Sequence, residues 1–206
     1  MKPGKHLSMI RSFHLANWFT LGNAACGIGA LFAVMSHVQS RDVQPLLLAC
    51  ALILLAFAFD VFDGRVARWR QKTSLLGREL DSLADVISFG VAPAIIAFGA
   101  GMDGLWDRVI LIYFVACGVS RLARYNITAE TLAQGSDKVK YFEGTPIPSS
   151  LLLVGVIAIA AVNGAIGDAL WFGTIRMGPG QFHPLVLMFA VSGSLMISRT
   201  LHIPKL

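Results

Sequence analysis

"FDVFDGRVARWRQKTSLLGRELDSLADVISFG", residues 59–90, sets four aspartates, one glutamate and four arginines between apolar stretches of a 206-residue chain. The rest of the chain reads as lipid-soluble: 55% of its residues are hydrophobic and 14% charged, and the mean hydropathy is +0.67. A soluble domain does not need so much apolar material for its core, so the composition implies an integral membrane protein. Six apolar stretches, residues 14–36, 45–66, 80–100, 105–122, 148–166 and 183–201, each approach the ~20 residues that cross a bilayer as helix. They predict an all-α bundle of six transmembrane helices in a single domain, 1–206, with no room for a separate soluble domain.

The basic residues predict its orientation. With the N-terminus cytoplasmic, 14 of the 17 lysines and arginines fall on the inner side, and only Arg41, Arg108 and Arg176 fall outside. The positive-inside rule then favours both termini in the cytoplasm and an even number of spans. The net charge of +5 is accounted for by this topology and by anionic lipid headgroups, which speaks against a nucleic-acid partner. Lys2 to Arg11 ahead of an apolar run imitates a signal peptide, but the run is too long for an ordinary one, and no cleavage is expected. Cys26, Cys50 and Cys117 lie in apolar spans without metal-ligand spacing and read as packing thiols. The five histidines share no spacing and read as interface residues near helix ends. Trp18, Trp69, Trp106 and Trp171 read as belt anchors.

The carboxylates carry the chemistry. At about 100° per residue from Asp60, residues Asp63, Gly64, Ala67 and Arg68 fall within a face ~140° wide. The same count around Asp81 puts Gly77, Asp85, Ser88 and Ala92 within about 40° on either side. Two helices thus each offer a pair of carboxylates flanked by small residues, and the polar connection between them sets both pairs at the cytoplasmic end. Four carboxylates at mid-bilayer would cost on the order of 10 kcal/mol, and interfacial placement reduces this without removing the clustered charge. Divalent cations would neutralise it; an all-oxygen site suits Mg²⁺, Mn²⁺ or Ca²⁺ rather than Zn²⁺. Four carboxylates can hold two such ions about 4 Å apart, an arrangement that clamps a phosphate during in-line displacement. A salt-bridge network with Arg65, Arg68 and Arg78 is the plainer alternative. The small residues also have a plainer use, as close helix contacts, and that use is compatible with a metal site.

The pattern Asp60-x-x-Asp63-Gly64-x-x-Ala67-Arg68, eight residues, Gly77-x-x-x-Asp81-x-x-x-Asp85 resembles the signature of the CDP-alcohol phosphatidyltransferase family at every defining position. The resemblance implies six transmembrane helices, two bound divalent metals, a homodimer, and transfer of a phosphatidyl group from CDP-diacylglycerol to an alcohol with release of CMP. "TLGNAACG", "GRELDSLADVISFGVAPA", "CGVSRLARYNI" and "FEGTPIPSS" resemble the serine-using, membrane-bound branch of the family, which implies L-serine as acceptor and an inner-membrane enzyme facing the cytoplasm. Carried over, Asp60, Asp63 and Asp81 would be metal ligands, and Asp85 would share the metals and act as general base on the serine hydroxyl. Gly64, Gly77 and Ala67 would admit the nucleotide, Arg68 would contact phosphate, and Asn23 would complete the nucleotide site. For the acceptor, Arg121, Arg124, Asn126 and Glu79 offer mixed charge suited to a zwitterion. Thr145 would shape the pocket. "RLARYN" also reads as a positive-inside anchor, and the prolines beside Thr145 as a helix start. Inositol phosphate or glycerol phosphate as acceptor, and an archaeal-type donor lipid, remain open within the family. A different class, an ion-coupled transporter, would use the carboxylates for a cation in transit, but the chain has no repeated halves.

Overall fold

The computed structural model describes residues 15–70, 75–133, 141–198 and 202–204. Lys2, Lys5, Arg11, Lys72, Lys138, Lys140, Arg199 and Lys205, on which part of the orientation argument rests, lie outside the described residues, as do His6 and His14.

The described residues are mostly helical. Helix α1 is Leu15–Ser40 and α2 is Val43–Arg70. The turn between them is tight: Arg41 has φ 61°, and the Asp42 carboxylate accepts the Gln44 N–H at 3.1 Å, capping the start of α2. Helix α3, Leu75–Asp85, runs through a π-helical segment, Val86–Val91, into α4, Ala92–Gly99. Pro93 gives the reason for the widened turn, because it has no N–H to donate and its ring crowds the carbonyl four residues back. Helix α5 is Leu105–Ala133, α6 is Ser150–Val162 and α7 is Leu187–Ile197.

Cross-contacts fix the directions. Asn23 near the start of α1 bonds Asp85, and His37 near its end faces the Gly99 carbonyl at 3.2 Å, so α1 and the α3–α4 rod run parallel. Helix α2 returns alongside α1, with Asp63 meeting Thr20. Ser82 of α3 meets Asn126 late in α5, while the end of α4 meets the residues after α6 through Gly167 N–H to Ala100 O. The end of α7 meets the residues before α6 through Thr145 N–H to Leu195 O. The rods therefore alternate in direction, and both ends of the described chain lie at one end of the bundle.

Three of these helices are long and apolar enough to cross a membrane, at Asn17–Ser40, Val43–Arg65 and Leu76–Gly99, and two shorter apolar helices cover Ile147–Val162 and Pro184–Ile197. Between them lies a small-residue core of Ala30, Ala49, Ala56, Ala92 and Ala97, closed by Ile53, Phe89 and Ile96. Phe32, Leu54, Ile112 and Leu152 point outward and exposed, the expected finish for a surface solvated by lipid. Cys26, Cys50 and Cys117 are buried free thiols.

Several sequence-based boundaries shift. The fourth apolar stretch ends at residue 122, but α5 continues to Ala133, because "YNITAETLA" mixes polar residues among its apolar ones, which lowers its hydropathy, yet holds no Gly or Pro to break the helix. The fold is not purely helical either. Tyr141–Glu143 (β1) pairs antiparallel with His202–Pro204 (β4), and Ile175–Met177 (β2) with Gly180–Phe182 (β3). The β2–β3 hairpin sits on the start of α5, where Trp106 Nε1 donates to Met177 O at 2.8 Å.

Two of the histidines read as interface residues near helix ends are enclosed by other parts of the chain. His37 and His183 are buried. Asp107, fully buried in the first turn of α5, accepts from Gly104 N–H and His183 N–H at 2.9 Å each and pairs with His183 Nδ1 at 2.5 Å. This clamp fastens the segment before α7 to the end of the bundle opposite Asp85.

Candidate active site

The alternation of the rods collects the late part of α2, the early part of α1, the whole of α3, the late part of α5 and the approach to α6 at one end. Every candidate residue from the sequence falls there. Asp60 and Asp63 sit one turn apart on α2, and Asp81 and Asp85 one turn apart on α3. Asp60, Asp81 and Asp85 each present an oxygen such that these atoms all lie within 4.8 Å of one another. Asp63 and Asp85 are buried, and Asp60 and Asp81 partly so.

Asp63 stands apart from that compact trio and accepts a hydrogen bond from the Thr20 hydroxyl of α1. Asp85 accepts from Asn23 Nδ2 at 3.2 Å. Asn23 is itself fixed from the other side, since Ser88 Oγ donates to its backbone carbonyl at 2.9 Å. Its Oδ1 is buried with no hydrogen-bond partner among the described residues. A buried amide oxygen without a donor is costly and marks a place where a ligand's donor or a cation would be welcome. A trio of converging carboxylates with no sulfur or imidazole among them, beside that orphaned oxygen, is a donor set suited to a hard divalent cation. The residues therefore fit the metal chemistry expected of them.

The glycines divide into two kinds. A Cβ on Gly64 would meet nothing within 4 Å, so the helix α2 leaves open space beside Asp63. Gly27 of α1 is the opposite, since a Cβ there would come within 2.5 Å of Ser88 Oγ and 3.0 Å of Ser88 Cα. Gly77 is half-buried at the start of α3. Of Ala67 and Arg68 only the helical backbone is described; their side chains lie outside the described residues.

On the acceptor side, Asn126 is tied into a small network with α3. Its amide donates to Ser82 Oγ at 3.1 Å and to both oxygens of Glu79 at 3.4 Å, and its Oδ1 accepts from Ser82 Oγ at 3.2 Å. Arg121 lies within electrostatic range of Asp85 and Arg124, and its Nε is buried without a hydrogen-bond partner among the described residues. Arg124 is half-buried beside it along α5. Thr145 Oγ1 and Ser150 Oγ, on the approach to α6, are likewise buried without a hydrogen-bond partner among the described residues. Thr20, Ser82 and Ser88 are the residues that sequence reasoning passes over as site members. A lone hydroxyl in an apolar helix carries no spacing signal, although Ser88 does fall on the face of Asp85.

Residues 13–192 match the family profile described as CDP-alcohol phosphatidyltransferase. The chain is 44% identical over 203 residues to a CDP-diacylglycerol–serine O-phosphatidyltransferase of Saccharomyces cerevisiae, covering 97% of this chain and 74% of that protein. It is 39% identical over 140 residues to the protein of the same name from Helicobacter pylori, covering 67% of this chain and 54% of that one. To an archaetidylserine synthase of Methanothermobacter thermautotrophicus it is 41% identical over 149 residues, 71% of this chain and 60% of the relative. The match thus spans little more than half the length of the bacterial and archaeal relatives.

Proposed function

Since this chain belongs to the CDP-alcohol phosphatidyltransferase family, a family of membrane phosphotransferases, we propose that it transfers the phosphatidyl group of CDP-diacylglycerol to the hydroxyl of L-serine, giving phosphatidylserine and CMP. The convergence of Asp60, Asp81 and Asp85 at one end of the bundle is the observation that carries this reading. The names of the relatives support the choice of serine.

Asp60, Asp63, Asp81 and Asp85 would hold two divalent ions, Mg²⁺ or Mn²⁺, with Ca²⁺ as a further candidate. When bound, the ions supply neutralisation of the donor's pyrophosphate and of the departing CMP. The remaining work belongs to the side chains. Asp85 accepts the proton of the serine hydroxyl as it attacks the β-phosphorus, because an alcohol is a poor nucleophile until a nearby base takes its proton. Arg121 and Arg124 receive the serine carboxylate, and Glu79, held in place by Asn126, faces the ammonium. Thr145 borders this pocket. Gly64 and Gly77 leave room for the nucleotide, with Ala67, Arg68 and Asn23 completing its site.

In this reading the six helical rods span the inner membrane, the whole of 1–206 acts as one domain, both termini and the active site face the cytoplasm, and two copies form a homodimer. The archaeal relative supports a second reading of the donor alone, in which archaeal-type lipid chains replace the diacylglycerol and the same residues act.

Purified protein with CDP-diacylglycerol and Mn²⁺ or Mg²⁺ should release CMP when serine is added, and Asp85→Asn should abolish that release. Release with glycerol phosphate or inositol phosphate in place of serine would overturn the acceptor assignment. No release with any of the three would overturn the transferase reading of the site.

A further inference from the structure

Helix α1 carries no carboxylate, yet it places three polar side chains, Asn17, Thr20 and Asn23, at three-residue spacing along an otherwise apolar face. All three are buried, with exposures of 4%, 2% and 0%. At this spacing they form one stripe. Two of the three send a hydrogen bond to another helix. Ser36, Ser40, Ser120 and Ser194 each return their hydroxyl proton to the carbonyl four residues back in their own helix. Asn163 does the same with its amide. That local bond is the low-cost way to satisfy a polar group in an apolar helix. Thr20 and Asn23 reach across to other helices, Thr20 to Asp63 Oδ2 and Asn23 to Asp85 Oδ1.

We propose that α1 is the orienting element of the carboxylate site, with Thr20 and Asn23 as positioning residues that each engage one oxygen of Asp63 and Asp85 and leave the other for ligand. The proposal rests on the metal-site reading above and adds to it the residues that aim the ligands. A carboxylate on a helix can turn about its side-chain torsions. A donor fixed on a neighbouring helix selects one orientation, and with it which oxygen is free: Oδ1 of Asp63 and Oδ2 of Asp85. Asn23 can do this because it is itself held. Ser88 stands one turn beyond Asp85 and bonds the Asn23 carbonyl, and Gly27 allows that approach by having no side chain. Asp85 and Ser88 thus grip one residue of α1 at two points, its amide and its backbone. Hydrogen bonds to metal-ligating groups of this kind typically change metal affinity by about 10–100-fold when removed.

The test uses full-length protein purified in detergent, Mn²⁺ binding followed by loss of the aqueous Mn²⁺ paramagnetic resonance signal, and thermal unfolding without metal. Thr20→Val keeps the shape and removes the hydroxyl, and Thr20→Ser restores it. Thr20→Val should weaken Mn²⁺ binding about 10–100-fold at an unchanged metal-free unfolding temperature, and Thr20→Ser should bind as wild type does. Asn23→Leu should weaken binding similarly and carries the test if Thr20→Val does not fold. Wild-type affinity in Thr20→Val and Asn23→Leu, or a Thr20→Ser protein as weak as Thr20→Val, would overturn the positioning role while leaving the metal site standing. Wild-type protein that binds no Mn²⁺ would overturn the site reading, and the positioning role with it.

Discussion

Gly64→Ala separates the structural demands of α2 from the demands of a bound nucleotide. Gly64 is exposed, lies inside a regular helix, and faces open space in which a Cβ would meet nothing within 4 Å. A glycine at such a position costs helix stability, and alanine should recover about 0.5–1 kcal/mol. The protein alone thus gains from the substitution. If the nucleotide of the donor lies against Gly64, the added methyl intrudes on a packed contact, and overpacking of that kind costs about 1–3 kcal/mol. At about 1.4 kcal/mol per tenfold, this is roughly a 5- to 150-fold weakening. The expected pattern is an unfolding temperature equal to or above that of wild type, combined with a raised KM for CDP-diacylglycerol and a matching loss of CMP affinity by calorimetry. Unchanged KM and CMP affinity would refute the placement of the nucleotide at Gly64. A lowered unfolding temperature would refute the claim that the space is open.

Gly27→Ala should behave in the opposite way: its Cβ would press within 2.5 Å of Ser88 Oγ and 3.0 Å of Ser88 Cα, so the contact between α1 and the π-helical segment must move apart, with a loss of about 1–3 kcal/mol read as a lower unfolding temperature in detergent without any ligand. Asp107→Ala should remove the acceptor of three buried hydrogen bonds and cost about 3–5 kcal/mol. Because Asp107 lies about 28 Å along α5 from Asn126, at 1.5 Å per residue, CMP release per folded molecule should be unchanged; a specific loss of turnover would show that the clamp and the site are coupled.

What was legible in the sequence was whatever repeats or is expensive. The apolar stretches are long, and burying polar backbone in lipid leaves few structures other than helices, so each predicted stretch has a helix. The aspartates were legible because four charges beside apolar helices need a physical reason, and the 3–4-residue spacing supplies a shared face. Asn23 was legible through the family resemblance alone, since an amide in an apolar run, as Asn17 also is, does not by itself point to a site. The π-helical segment was not legible, because Pro93 and Gly90 indicate a disturbed helix without saying whether it kinks, ends or widens. The clamp of Asp107 and His183 joins residues 76 positions apart, and a lone histidine at a helix end has no spacing by which to announce a partner.

The same asymmetry explains which site residues were missed. Residues proposed to ligate metal or to face the nucleotide would be constrained by what they do directly, and that constraint would fix their type and spacing within one short stretch. Thr20 and Ser88 act through another residue. Any side chain that delivers a donor to the right point would serve, and the point is defined by how α1 packs on α2 and α3, not by the local sequence of α1. Thr20 is 43 residues from Asp63 and Ser88 is 65 from Asn23, so only the fold brings them together. The order of dependence is therefore Gly27 to Ser88, Ser88 to Asn23, Asn23 to Asp85. A glycine chosen for close packing thereby sets the aim of the carboxylate proposed to take the acceptor's proton.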